Sequence, residues 1–205
     1  NSTSFRENYG LRSDLPLLAI APGSRPSELK EHLPIMLDAL PKIEKKIGEF
    51  QCIMPLAESL DFDQVRSKSE SSSVHLKVVQ GQFKESVMAC DAAVIASGTA
   101  SLQTGLALKP FVIVYRVSPL TFMIARLLAE TKYIGMVNVL ANKEIVPELL
   151  QSEFTARSIT DHVVRLLQDH DYRETMIGEL KKIGQKLGEP GAYKRAAKCI
   201  EDFIT

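Results

Sequence analysis

Short apolar runs alternate with longer amphipathic stretches from residue 15 to about residue 131. Five runs are rich in Val, Ile, Leu and Ala, as strands buried on both faces of a sheet are. They cover residues 15–21, 50–56, 75–80, 92–97 and 111–115. The stretches between and after them predict helices at 26–48, 61–70, 82–90, 99–108 and 118–131. Strands that alternate with helices favour a doubly wound α/β domain with a parallel sheet.

The first predicted helix carries one apolar stripe that contains a proline. The stripe consists of Leu29, Leu33, Met36, Leu37 and Leu40. Because proline has no backbone N–H and its ring crowds the preceding turn, Pro34 predicts a kink or a restart of this helix.

The two ends of the chain differ from this alternating pattern. Residues 1–14 are polar and rich in turn formers, which is typical of a linker or of a domain edge. Residues 15–157 form the predicted sheet domain. Residues 158–205 show two helical stripes and no strand pattern, with a break at 189–191, so we expect a helical tail that packs on the domain or on a partner.

Composition narrows the choice of partners. The 25 basic and 25 acidic side chains cancel, so no overall charge favours nucleic acid or an anionic membrane. Three widely spaced cysteines argue against a disulfide framework, and the four scattered histidines argue against a metal site. With no apolar run long enough to span a bilayer, a cytoplasmic location is expected.

Two loops follow predicted strands and contain small, polar residues. The first contains Gly23, Ser24 and Arg25, where glycine permits close approach, serine can cap the next helix, and arginine offers a planar fork of donors for phosphate. The second contains Ser97, Gly98 and Thr99, at the amino end of a predicted helix with unpaired N–H groups.

Each loop could equally be an ordinary tight turn, since neither matches the P-loop or the G-x-G-x-x-G fingerprint. The carboxyl ends of parallel strands lie at the same edge of a sheet, so both loops should face one crevice. Together they predict a diphosphate site.

Other polar residues permit simpler interpretations. Asp61 and Asp63 have the spacing of a metal-binding Asp-x-Asp, yet they fit the start of a helix better. Asp91 precedes a strand and is expected to be structural. The apolar residues 119–131 fit a core helix, or alternatively a patch that meets lipid or a partner domain.

Five stretches follow one another between residues 15 and 151: APGSR, ASGTASLQ, FVIVYRVSPLTF, YIGMVN and EIVPELLQ. In this order they resemble the carboxy-terminal half of lipid-A-disaccharide synthase, an inverting glycosyltransferase of the two-domain GT-B type. The resemblance implies a Rossmann-like domain that holds a nucleotide sugar, while an amino-terminal domain supplies the acceptor site.

The resemblance also implies a reaction. The family transfers 2,3-diacylglucosamine from UDP-2,3-diacylglucosamine to 2,3-diacylglucosamine 1-phosphate, which gives lipid A disaccharide and UDP. It implies no metal or other cofactor, and a peripheral position at the cytoplasmic face of the inner membrane.

Site residues are carried over from the family's motifs. The diphosphate contacts implied are Gly23, Ser24 and Arg25 from the first loop and Ser97, Gly98 and Thr99 from the second. Asn138 matches the family's Pro-Asn position, and the next motif supplies Glu144, Glu148 and Gln151. We expect these four side chains to line the donor cleft.

Two positions depart from the family pattern. Gln103 stands where the family usually has a glutamate that accepts hydrogen bonds from the ribose hydroxyls, so the charge is lost. Val137 stands where proline is usual, which should loosen the loop before Asn138.

Members of the family are about twice as long as this chain, and their general base belongs to the other half. We therefore expect no catalytic residue here, and a chain that binds UDP without turnover on its own. Two alternatives stay open: another GT-B UDP-sugar transferase or epimerase, and a non-catalytic module that forms a homodimer through its helical tail.

Overall fold

The computed structural model of the chain describes residues 2–69, 74–118, 121–123, 131–188 and 191–204. Within those residues, six parallel strands form one sheet in the order β3-β2-β1-β4-β5-β6. Their bounds are β1 Leu17–Ala21, β2 Gln51–Leu56, β3 His75–Gln80, β4 Ala92–Ala96, β5 Phe111–Tyr115 and β6 Glu148–Leu150. The fold class and the five predicted strands are confirmed. β6 was not predicted, because three residues directly after a proline are too few to show a pattern.

The helices follow the predicted alternation. They are α1 Ser2–Asn8, α2 Pro26–Ile47, α3 Phe62–Ser69, α4 Phe83–Ala89, α5 Thr99–Leu106, α6 Met136–Ala141, α7 Ala156–Gln168, α8 His170–Lys186 and α9 Ala192–Ile204. Most of the helix predicted at 118–131 falls on residues 119–120 and 124–130, outside the described residues.

Helix α2 is continuous, so the restart predicted at Pro34 does not occur. Pro34 and Pro41 both lie on the exposed side of the helix. Water can therefore hydrate the carbonyl that each proline leaves without a donor.

Right-handed connections place the helices on both faces of the sheet. The chain runs outward from β1 to β3 and then crosses back to β4, so α2 and the pair α4 and α5 cover opposite faces. Helix α7 packs on α2, β4 and β5, and α8 packs on α5 and α6. The strands β1, β2 and β4 are consequently buried along their whole length.

The amino-terminal segment contains a helix, α1, that the sequence pattern does not predict. Phe5 of α1 is buried in the core, and Arg6 Nη2 donates to the Ala89 carbonyl at 2.7 Å and to Asp91 at 2.9 Å. The same Asp91 oxygen accepts from the Leu17 N–H at 2.8 Å, which confirms its structural role. Residues 2–8 are thus joined to the start of the sheet and are not a free linker.

The carboxy-terminal helices differ in their environment. Ile159 and Val163 of α7 and Leu180 of α8 are buried against the domain. In α9, by contrast, every side chain from 196 to 203 is exposed, including Phe203 at 92%. No helix in the described ranges combines the length and the apolar character needed to cross a membrane.

Candidate functional site

A cleft of about 340 Å³ opens at the carboxyl ends of β1, β2 and β4. The order of the sheet reverses between β1 and β4, because the chain leaves β1 towards β2 and leaves β4 towards β5. The loops that follow these two strands diverge and leave a crevice, which is the usual ligand site of such sheets. Gly23, Ser24 and Arg25 line one side of the cleft, and Ser97, Gly98 and Thr99 line the other.

The first loop is held by a carboxylate from its own helix. Arg25 occupies the N-cap position of α2, so the cap that we expected from Ser24 is supplied differently. Glu28 Oε2 accepts from the N–H groups of Ser24 at 2.9 Å and Arg25 at 3.3 Å. Glu28 Oε1 accepts from Arg25 Nη1 at 3.0 Å. The Arg25 side chain is nevertheless 73% exposed, and Arg25 lines the cleft.

The second loop is a turn into α5 that requires glycine. Gly98 has φ +149°, a backbone conformation that side chains disfavour. The Gly98 carbonyl accepts from the Ser101 N–H at 3.1 Å and from the Ser101 hydroxyl at 2.7 Å. These bonds fix the first turn of α5, whose amino end lies at the cleft. The unpaired N–H groups at the amino end of a helix attract anions. Gln103, one turn further along α5, also lines the cleft.

Apolar residues also line the cleft beyond these loops, and the sequence patterns do not predict them. Pro55 and Leu56 contribute from the end of β2, and Phe83 from the first turn of α4, which follows β3. The half-buried Phe83 ring offers an aromatic surface on which a planar base can stack. The position of Phe83 at the cleft follows from the sheet topology, because residues that follow β3 lie at the same sheet edge as the two polar loops.

His32 connects the first loop to the end of β5. Its ring is completely buried, and Nδ1 donates to the Pro22 carbonyl at 2.7 Å. Nε2 then accepts from the N–H of Arg116 at 3.0 Å. Both ring nitrogens are satisfied, so His32 is a core histidine that fixes the approach of the chain to Gly23.

Asn138 and Glu148 do not line the cleft; they hold a neighbouring loop. Asn138 is completely buried in α6, and its amide bonds to the backbone of Ile145 and Val146 and to Glu148. Glu148 accepts from the N–H groups of Ile134 at 3.0 Å and Gly135 at 2.9 Å.

This cluster reaches the cleft through one further contact. Ser97 Oγ donates to the Ile134 carbonyl at 3.2 Å, so the loop held by Glu148 supports the second cleft loop. Val137, which we expected to loosen a loop, is buried within α6 and packs against Gly105.

Gln151 and Glu144 lie in two other hollows. Gln151, with φ +48°, borders a cavity of about 790 Å³ together with Lys30 and Ser118. Its carbonyl accepts from Arg116 Nη2 at 2.7 Å, and its side-chain Nε2 is buried without a partner among the described residues. The exposed Glu144 borders a separate hollow of about 420 Å³ beside α7 and α8.

The remaining candidates for chemistry have structural roles. Asp61 Oδ1 accepts from the N–H of Gln64 at 3.0 Å, so Asp61 caps α3 and marks the helix start predicted there. Burial raises the pKa of the Cys52 thiol, and it raises the pKa of Cys90 to about 12. Both thiols therefore stay protonated and unreactive at neutral pH.

The arrangement fits a ligand with an anionic centre and a flat apolar end. Two polar loops and the Arg25 side chain line one hollow, which Phe83 and Leu56 also line. A nucleoside diphosphate has this distribution of charge and apolar surface.

A doubly wound sheet with its cleft at the strand-order reversal is the architecture of the carboxy-terminal domain of GT-B glycosyltransferases. The solved structures that share this fold with the chain include the following two. WaaG, a glycosyltransferase involved in lipopolysaccharide biosynthesis, is 13% identical with a TM-score of 0.61, over 90% of this chain and 47% of that one. UDP-GlcNAc 2-epimerase from Neisseria meningitidis is 15% identical with a TM-score of 0.59, over 90% and 48%.

Comparison of the amino-acid sequence identifies the particular family. Residues 1–203 match the model of lipid-A-disaccharide synthetase, and the chain belongs to this family. Lipid-A-disaccharide synthase of Myxococcus xanthus is 40% identical over 99% of this chain and 53% of its own length. The chain therefore spans about half the length of this relative.

Proposed function

We propose that this chain is the donor-binding half of an inverting glycosyltransferase that makes lipid A disaccharide. The donor is UDP-2,3-diacylglucosamine, the acceptor is 2,3-diacylglucosamine 1-phosphate, and UDP is released. One observation carries the proposal: in a chain of this family, Arg25 and Thr99 line the same cleft at the strand-order reversal. Phosphate ligands of doubly wound sheets bind at such a position.

The cleft can stabilise the leaving group. As the bond to the sugar breaks, negative charge develops on UDP, and fixed donors aimed at that charge lower the barrier. The loop N–H groups and the Arg25 guanidinium are such donors, so we propose that donor binding needs no metal ion. We assign no general base to this chain and place it in the amino-terminal half.

The apolar residues that line the cleft fit the base of the nucleotide. We propose that uracil lies against Phe83 and Leu56, and that the ribose lies beside Gln103, with the diphosphate between the two polar loops. Since the family match extends over residues 1–203, it favours the synthase over another UDP-sugar enzyme of the same fold.

The exposed apolar residues of α9 favour a surface that binds a partner. Ile200 is 60% exposed and Phe203 is 92% exposed, although both are large and apolar. We propose that α9 meets the amino-terminal acceptor half or the same helix of a second copy in a homodimer. We further propose a peripheral location at the cytoplasmic face of the inner membrane, where both lipid substrates would be found.

Calorimetry with UDP and ADP tests the proposed function. We expect UDP to bind with about a tenfold lower Kd than ADP, because the proposed site places a pyrimidine against Phe83 and Leu56. A chelator should leave the UDP affinity unchanged, and the two lipid substrates should give no disaccharide with this chain alone. Equal affinity for both nucleotides, or no binding of UDP, contradicts the proposal.

Replacing Gln103 with glutamate tests the ribose contact. A carboxylate accepts a stronger hydrogen bond than an amide, so the Gln103→Glu variant should bind UDP about fivefold more tightly. Replacing the exposed Gln185 of α8 in the same way is the control, since it lies outside the cleft lining. If the Gln103→Glu variant binds UDP with unchanged or lower affinity, Gln103 does not contact the ribose.

A further inference from the structure

The backbone donors of the first cleft loop are already occupied. The N–H groups of Ser24 and Arg25 both donate to Glu28 Oε2, at 2.9 Å and 3.3 Å. The Arg25 guanidinium donates to the other oxygen of the same carboxylate at 3.0 Å. The Glu28 side chain is only 11% exposed and lines the cleft. A carboxylate of the protein thus holds the donors that an incoming diphosphate needs.

The loop is shaped to admit this carboxylate. Gly23 has φ +126°, and a Cβ atom built on it would lie 2.3 Å from Glu28 Oε2 and 2.6 Å from Glu28 Cβ. Any side chain at position 23 would therefore displace Glu28. Glycine at this position serves the contact with Glu28 as well as access for a ligand.

We propose that the Glu28 carboxylate is an internal competitor of the donor's diphosphate, which must displace it in order to bind. A backbone N–H has one hydrogen to donate, so the loop cannot bond fully to both anions. Two anions on the same donors also repel each other, which excludes a shared arrangement. The inference rests on the proposed function, because it takes the diphosphate to bind at this loop.

The competition sets how tightly the nucleotide is held. Glu28 is tethered three residues from Arg25, so its local concentration is high and it returns as soon as the loop is vacated. It lowers the affinity for both UDP-sugar and UDP. Glu28 thereby favours release of the product after transfer.

The test compares Glu28→Gln with the unsubstituted chain by calorimetry. Glutamine keeps the length and one acceptor oxygen, but its hydrogen bonds to the loop are weaker without the charge. We expect UDP to bind about five- to tenfold more tightly to this variant. Uridine, which has no phosphate, should show the same affinity for both proteins. Equal or weaker UDP binding by Glu28→Gln overturns the inference.

Glu31→Gln is the matched control. Glu31 is an exposed carboxylate on the same helix, one turn further on, so this variant removes the same charge without touching the loop. We expect its UDP affinity to change by less than about twofold. A gain equal to that of Glu28→Gln would assign the effect to general electrostatics and overturn the inference.

The unsubstituted protein gives a second readout that needs no variant. Saturation with UDP should move the NMR resonance of the Glu28 carboxyl carbon towards that of a solvated carboxylate. A resonance that stays in place at saturation overturns the inference, whether or not Glu28→Gln folds. If the unsubstituted chain binds no UDP, the proposed function fails; if it binds UDP and Glu28 does not respond, only the displacement fails.

Discussion

Replacing Arg25 with alanine is expected to weaken UDP binding about 10- to 100-fold. Hydrogen bonds to a charged group contribute about 1.5–3 kcal/mol each, and the exposed guanidinium is placed to make them at the cleft. The substitution also removes the positive partner of Glu28, which leaves an unpaired carboxylate beside the diphosphate. Calorimetry with UDP measures the effect.

Two further variants sharpen this measurement. Arg12 is an exposed arginine that precedes β1, at the opposite sheet edge, so Arg12→Ala should leave UDP affinity unchanged. Arg25→Lys keeps the charge and loses the planar fork of donors. Its UDP affinity should therefore lie between that of the unsubstituted chain and that of Arg25→Ala. Undiminished UDP binding by Arg25→Ala would remove the first loop from the diphosphate site.

Replacing Asn138 with alanine is expected to lower the free energy of unfolding by about 3–5 kcal/mol. The substitution leaves the buried N–H groups of Ile145 and Val146 without an acceptor, and it takes a donor from Glu148. Because Asn138 lies behind the cleft, the variant that remains folded should bind UDP with nearly the original affinity. Urea denaturation and calorimetry at low temperature measure the two quantities separately.

Gln185→Ala is the control for the loss of an amide. Gln185 is exposed on α8, so its truncation should change the free energy of unfolding by less than about 0.5 kcal/mol. The opposite outcome for Asn138→Ala, normal stability with lost UDP affinity, would place this amide in contact with the nucleotide.

The sequence predicts the two cleft loops because they follow from topology. In a parallel sheet, each residue that directly follows a strand lies at one edge, so locating β1 and β4 also locates Gly23 and Gly98. The same rule covers Phe83 at the start of α4, yet a single aromatic residue there does not by itself indicate a binding site. Its role becomes visible only once the wall that it forms with Leu56 is seen.

The roles of Asn138, Glu144 and Gln151 could not be predicted in this way. Their motif gives their position along the chain but not the elements around them. Asn138 lies in the short helix α6, and Gln151 follows β6, a strand of three residues with no recognisable pattern. Likewise, the contact of Glu28 with the first loop depends on the conformation of Gly23, which the sequence permits but does not require. Topology is encoded in long patterns, whereas these contacts depend on a few local torsion angles.

Helix α1 limits how far the chain can be shortened from its amino end. Arg6 and Asp91 connect it to the first residue of β1, and Phe5 fills part of the core. A truncation that begins at the first strand would leave Asp91 without its cation and open a void beneath α4. A shortened form that is meant to keep the cleft should therefore keep residues 2–8, although none of them lines the cleft.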